Sequence, residues 1–255
     1  MMLCRDGDCS LVESKNRNWL GSRKFDGVRC IAICDGNVKL VGRNGTDYTL
    51  KFPEVVDSLK SFSGVIDGEV VCCDNFQYTQ SRILTDNKLK QKLLVKRYPA
   101  NYYVFDILNF KGVDLKNKIL AERYTLLRGI KFGSSVCIVE NDSDLVSLFE
   151  KAKKCNWEGI IIKNPNSKYR EGYRSPDWLK IKLKKSKDIK FVKFERNPAG
   201  IRVEDKEGIS IQITGKNSDV VEKKFKEKGY AVIEVEFLEE FASGKLRQPV
   251  FKCLK

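Results

Sequence analysis

Ser22-Arg23-Lys24-Phe25-Asp26-Gly27-Val28-Arg29 is the stretch on which the reading of this chain turns. It holds a lysine in a K-x-D-G-x-R context. Behind it Val28, Ile31 and Ile33, with Cys30 and Ala32 between them, read as a strand. A lysine amine is a covalent nucleophile when it is held neutral and aimed. Burial and neighbouring cations disfavour its charged form, and lysine shifts more readily than arginine. Gly27 lets the backbone turn sharply or come close to a ligand, and Asp26 can orient a neighbour. On these residues alone the pattern is weak, because Asp-Gly beside a solvated lysine is also an ordinary exposed turn. The rest of the chain decides between the two.

The chain has 255 residues, enough for one large or two modest domains, and 42% of them are hydrophobic, enough for a core. Its net charge is +14 and its pI about 9.3. A globular chain this basic is matched to a polyanion, nucleic acid first. It contains no histidine. That removes Ser-His-Asp and Cys-His catalysis and every zinc site that needs imidazole. Chemistry is left to Lys, Arg, Asp, Glu, Cys, Ser or a metal on carboxylates. Nine cysteines, an odd number with no C-x-x-C, read as reduced residues, several of them in apolar strands. There is no apolar leader and no run long enough to span a bilayer, so an intracellular protein is expected, cytoplasmic or nucleoid, or in a host cell if virus-encoded.

Outward from Lys24, residues 28–34 and 37–41 pair across Asp35-Gly36, a favoured hairpin turn. Gly42-Arg43-Asn44-Gly45 follows, and Pro53 opens a short helix with Val56, Leu59 and Phe62 at helical spacing. Residues 1 to 20 read as irregular. Val65 to Val71 is a strand interrupted by Asp67-Gly68-Glu69, residues 75–97 are basic helix and loop, and Tyr102 to Leu108 is a strand. Helices are expected over 116–130 and after an Asn141-Asp142-Ser143 cap. Glu158 to Lys163 is a buried strand. Trp178 to Lys184 alternates, with Lys180, Lys182 and Lys184 on one face. A basic run to Lys190 marks a boundary. Short strands at 189–195, 201–204, 209–214 and 231–238, with a helix over 218–228 capped by Ser218 and stopped by Gly229, suggest a small five-stranded barrel of the OB type.

Several charged residues thus sit at strand ends or edges, where strands converge on a cleft: Lys24 with Arg29, Arg43, Glu69, Asp106 beside Phe105, Glu158, Lys180 and Lys182. Each alone has a bland reading as a wet strand face or turn. In this order they resemble the covalent nucleotidyltransferases, and specifically the ATP-dependent DNA ligases. The motifs are Lys24-Phe25-Asp26-Gly27-Val28-Arg29, Gly42-Arg43-Asn44-Gly45, Ile66-Asp67-Gly68-Glu69, Tyr103-Val104-Phe105-Asp106-Ile107-Leu108, Glu158-Gly159-Ile160-Ile161-Ile162-Lys163 and Trp178-Leu179-Lys180-Ile181-Lys182. Gly244-Lys245-Leu246-Arg247-Gln248-Pro249-Val250-Phe251-Lys252 is similar to the closing motif of DNA ligases rather than of capping guanylyltransferases.

The resemblance implies an α+β fold: an antiparallel-sheet adenylation domain over residues 1–186, then an OB-fold β-barrel over 187–255. It implies Lys24 as nucleophile, Lys180 and Lys182 neutralising the α-phosphate and helping to depress the Lys24 pKa, and contacts to ATP from Ser22, Arg29, Arg43, Glu69, Phe105 and Lys163. Glu158, Glu69 and Asp106 would hold Mg2+ or Mn2+. Arg43, Lys184, Lys185, Lys187 and Arg247 would meet a nicked duplex, with the chain acting as a monomer and no protein partner legible. The sequence departs from the pattern at Ser22, where many ligases have an acid, and at its shortened closing motif, which leaves Lys252 and Lys255 for the pyrophosphate. The alternatives are an RNA ligase or capping guanylyltransferase of the same superfamily, or a non-catalytic nucleic-acid-binding protein.

Overall fold

The computed structural model describes residues 1–241 and 243–255. The chain divides into two compact units, Met1–Ile181 and Lys182–Lys255, a few residues before the expected boundary. Through the first unit and into Lys182 the order is β1 (Leu3–Asp6), α1 (Ser10–Lys15), β2 (Leu20–Arg23), β3 (Val28–Asp35), β4 (Asn37–Gly42), α2 (Pro53–Leu59), β5 (Gly64–Cys72), α3 (Phe76–Leu84), α4 (Lys88–Arg97), β6 (Ala100–Phe110), β7 (Val113–Asp114), α5 (Leu120–Arg128), β8 (Val136–Ile138), α6 (Leu145–Lys154), β9 (Gly159–Lys163) and β10 (Arg174–Lys182). One sheet runs β4-β3-β5-β6-β7, antiparallel, with β8 joining β6 in parallel. The other runs β1-β10-β9-β2.

The pleat of β3 explains what the first sheet buries and what it presents. Successive side chains of a strand point to opposite faces. Cys30, Ala32 and Cys34 go inward, against Ile66 and Val70 of β5, Tyr102 and Val104 of β6, and Val55 and Leu59 of α2. Arg29, Ile31 and Ile33 therefore face the other way, and Glu69 of β5 stands opposite Arg29 in register. The two sheets meet over this second face. Gly27 is required there for a different reason than a turn. A Cβ on it would lie 2.1 Å from the Val70 carbonyl oxygen.

The N-terminal residues are not irregular. β1 pairs in parallel with β10, and Leu3 to Asp6 gains its order from that partner rather than from its own pattern. The helix expected after Asn141 is α6, capped one residue later than the Asn-Asp-Ser triplet. Asp144 accepts the Ser147 amide at 3.1 Å.

The second unit holds β11 (Lys185–Phe191), β12 (Lys193–Asn197), β13 (Gly200–Glu204), β14 (Ser210–Ile213), α7 (Lys216–Lys228), β15 (Ala231–Phe237), β16 (Glu239–Glu240), β17 (Leu246–Arg247) and β18 (Val250–Leu254). β11 and β12 are one strand broken at Val192, pairing first with β15 and then with β13. Counted so, β11/β12, β13, β14, β15 and β18 are the five strands of the barrel around Phe191, Val203, Ile211, Ile233 and Val235, closed on one side by Val221 and Phe225 of α7. Gly229 ends α7 as expected, left-handed at φ 73°. Ser218 does not cap it. Gly215 holds that position, and the Ser218 hydroxyl donates back to the Gly215 carbonyl at 2.6 Å.

Candidate active site

Both sheets of the first unit wall a cavity of about 220 Å3. β2 brings Ser22, β3 Arg29, β5 Glu69, β6 Phe105, β9 Ile161 and Lys163, and β10 Trp178 and Lys180, while Arg43 stands exposed at its rim. Lys24 enters it just after β2, its backbone amide on the Gly159 carbonyl at 3.0 Å. Its Nζ donates to Glu158 Oε2 at 2.5 Å, and both side chains are mostly buried, 20% and 7% exposed. Burial works to lower the Lys24 pKa, but Glu158, Glu69 and Asp26 outweigh it and the net direction is upward. This corrects the expectation of a depressed lysine. Carboxylates, rather than Lys180 or Lys182, dominate the field at its amine.

Around this pair the charges are held by a second set of contacts. Arg29 donates through Nε and Nη2 to both oxygens of buried Asp67, at 3.0 and 2.6 Å, and the Tyr169 hydroxyl donates to the same carboxylate at 2.7 Å. This fork fixes the guanidinium plane, with its centre 5.3 Å from the Phe105 ring. Burial raises the Glu69 carboxyl to about 7, against the attraction of Lys24 and Arg29. Lys163 is 3% exposed and lies 4.3 Å from the Phe105 ring and 4.1 Å from the Trp178 ring. Burial pulls its ammonium down to about 8. Lys180 pairs with exposed Asp6 at 3.1 Å.

Of the residues expected at the site, Lys24, Ser22, Arg29, Arg43, Glu69, Phe105, Lys163 and Lys180 line one cavity, and Glu158 touches Lys24. Asp106 does not join them. It follows Phe105 in β6, where the pairing with β5 slips in register, so simple alternation does not set its direction. There it is fully buried, its two oxygens accepting from Arg123 Nε and Nη2 at 2.7 and 2.8 Å. A carboxylate so committed offers nothing to a metal, so Asp106 is a core ion-pair residue. Lys182 belongs to the second unit, where its Nζ donates to Gln248 at 3.3 Å. Lys184, Lys185, Lys187 and Arg247 lie there too. Sequence reading missed Leu3, Cys4, Arg23 and Arg174 as cavity residues. It also missed Asp67 as the anchor of Arg29, although Asp67 stands inside the quoted Ile-Asp-Gly-Glu motif.

A two-sheet domain with a lysine–carboxylate pair in a cleft, followed by a small barrel, defines the nucleotidyltransferase plus OB-fold class. Residues 2–182 match the ATP dependent DNA ligase domain, and the chain belongs to that family. It is 31% identical over 169 residues to the SPbeta prophage-derived DNA ligase-like protein LigB of Bacillus subtilis, covering 65% of this chain and 62% of that protein. It is 32% identical over 198 residues to DNA ligase 2 of Methanosarcina mazei, covering 69% of this chain and 34% of that one. The chain thus spans less than two thirds of these relatives. In fold it resembles Lig E DNA ligases (TM-score 0.73, 17% identity, all of this chain and 99% of that one). It also resembles mycobacterial DNA ligase D complexed with ATP and MES (TM-score 0.64, 21% identity, all of this chain and 94% of that one). Among the described residues no helix is long and apolar enough to cross a membrane.

Proposed function

We propose that this chain is an ATP-dependent DNA ligase that seals 5′-phosphate/3′-hydroxyl nicks in duplex DNA. The observation that carries the reading is the Lys24–Glu158 pair in a cavity that also presents Glu69, Arg29, Lys163, Lys180 and the Phe105 ring. In this reading the Lys24 amine gives up its proton, to Glu158 as the nearest acceptor, and attacks the α-phosphorus of ATP. The new P–N bond forms as the bond to pyrophosphate breaks. A 5′-phosphate oxygen at the nick then displaces Lys24 from AMP, and the 3′-hydroxyl displaces AMP from the 5′-phosphate. These are displacements at phosphorus, where catalysis is mostly positioning and charge neutralisation. Phe105 and Ile161 offer apolar surface to a base, Arg29 and Lys163 face the sugar and phosphates, Lys180 neutralises the α-phosphate, and Arg43 at the rim takes the 5′-phosphate.

Two carboxylates facing one lysine also suit a hard cation. Glu158 and Glu69 fit Mg2+ or Mn2+ as oxygen donors, and Glu69, already raised towards neutrality by burial, gains from a positive neighbour. When bound, such an ion supplies the positive charge that relieves the carboxylate field on Lys24 and screens the phosphates. The surplus of positive charge over the whole chain favours a monomer on DNA in the compartment where the DNA lies. The closing motif and the family favour DNA over RNA and ATP over GTP.

Intact mass after stripping with pyrophosphate and incubation with Mg2+ and ATP, with GTP in parallel, tests the reading. One AMP is gained with ATP alone, and Lys24→Ala gains none. A Lys24→Ala protein that still acquires AMP would end the assignment, and a GMP adduct would move it to a guanylyltransferase.

A further inference from the structure

The positive charge of this chain is of two kinds. In the second unit most of the cations expected to meet DNA already have carboxylate partners. Lys184 lies 2.9 Å from Glu236, Lys187 2.7 Å from Glu240 and Arg247 3.7 Å from Glu239. Helix α4 in the first unit is the opposite case. Lys88-Leu89-Lys90-Gln91-Lys92-Leu93-Leu94-Val95-Lys96-Arg97 carries five cations and no acid. None of the five is in an ion pair among the described residues.

Helical periodicity sorts these residues. Buried Leu94, with Gln91 and Val95 beside it, turns to the protein. Lys88, Lys92 and Lys96 then form one outward row at i, i+4 and i+8, alongside Leu89 and Leu93, which are 75% and 68% exposed. At ~1.5 Å per residue the row spans about 12 Å. That is the rise of about three to four phosphates along one strand of a duplex.

The location favours DNA over a protein groove as the occupant. β4 and β5 both end, and β6 begins, at the same end of the first sheet. Arg43 follows β4 there, and α3 and α4 link β5 to β6 there. Lys51 ties the two together, its Nζ 2.5 Å from the Thr85 carbonyl and 2.8 Å from Asp86 in the α3–α4 connection. The row and Arg43 therefore lie at the same end of the first sheet, with Lys51 bonded to the connection that leads into α4.

We propose that α4 is a duplex-tracking surface, in which Lys88, Lys92 and Lys96 take successive phosphates of one strand away from the sealed bond. The proposal rests on the ligase reading and extends it to residues outside the cavity. It predicts that affinity for DNA, and not adenylylation, depends on the row.

The test compares the unaltered chain, K88Q/K92Q/K96Q, and a control of equal charge change, K193Q/K223Q/K226Q, whose lysines are ion-paired with Glu204, Glu227 and Glu222. Each is scored for AMP gain by intact mass. Each is then titrated by anisotropy onto a 5′-phosphorylated nicked duplex without divalent cation over a salt series. The expected result is equal AMP gain in all three. The α4 variant binds roughly tenfold more weakly at low salt, and its log–log salt slope is shallower by about 2.7, at ~0.9 per lost phosphate contact. The control keeps the original slope. An α4 variant with the unaltered slope, or a control that loses as much, overturns the proposal. An unaltered chain that gains no AMP sinks the ligase reading, and the inference falls with it.

Discussion

Lys163 shows what a single residue type does and does not disclose. Its position at the end of an apolar strand is legible in the sequence, but its charge state is not, because that depends on Phe105 and Trp178 arriving from two other strands. Burial lowers its pKa to about 8, below the unfolded value. Between these two values the unfolded chain holds a proton that the folded chain has released, so stability rises with pH across the window and the burden is full below it. Relative to Lys163→Met, the native protein should gain about 2 kcal/mol of unfolding free energy between pH 7.5 and 10. Urea denaturation of both proteins at the two pH values measures this, and parallel curves would refute it. Asp106 teaches the same lesson from the other side. Its carboxylate is visible in the sequence beside Phe105, yet that it meets Arg123 is decided by the slipped register of β6 on β5 and by α5. Lys24 is a third case: the nucleophile position is readable, but its upward shift comes from Glu158, distant in sequence and 2.5 Å away in space.

At the scale of elements, the central strands and the amphipathic α6 follow from their own patterns, and the misjudged features are those that depend on a neighbour. β1 has too little pattern to declare itself and exists through β10. The caps of α6 and α7 slipped because Asp144 and Gly215, rather than the nearest Ser or Asn, have the geometry to end the incoming chain. Gly27 is the sharpest instance. Asp-Gly reads as a turn, but the physical demand is the close approach of the backbone just before β3 to the Val70 carbonyl, 2.1 Å from where a Cβ would stand, with the Val71 side chain at 2.8 Å. Gly27→Ala should force β3 from β5 and cost about 2–3 kcal/mol, as overpacking does. It should also reduce AMP gain by displacing Lys24 and Arg29, which flank it. Thermal unfolding together with intact mass checks both, and unchanged stability would show that the sheet yields without strain.

The whole molecule is two compact units on one chain, and one mutation can separate their unfolding. Phe191 is fully buried in the barrel, whereas Trp19, Trp157 and Trp178 all lie within Met1–Ile181. Phe191→Ala should destabilise the barrel by about 3–5 kcal/mol. Circular dichroism should then show an earlier component in urea while tryptophan fluorescence keeps its midpoint. A fluorescence midpoint that falls in step would mean that the units unfold together. By itself the sequence determined the family, the order of the motifs, the five-stranded barrel and the chemistry open to a chain without histidine. These depend on residue identity and local periodicity, which the chain carries in its order. Only the tertiary structure decided which carboxylate faces Lys24, that Asp106 is spent on Arg123, and that most of the expected DNA-facing cations already have carboxylate partners while, among the described residues, those of α4 do not. Electrostatic partnership acts through distance and burial, and both are set by segments far apart in sequence.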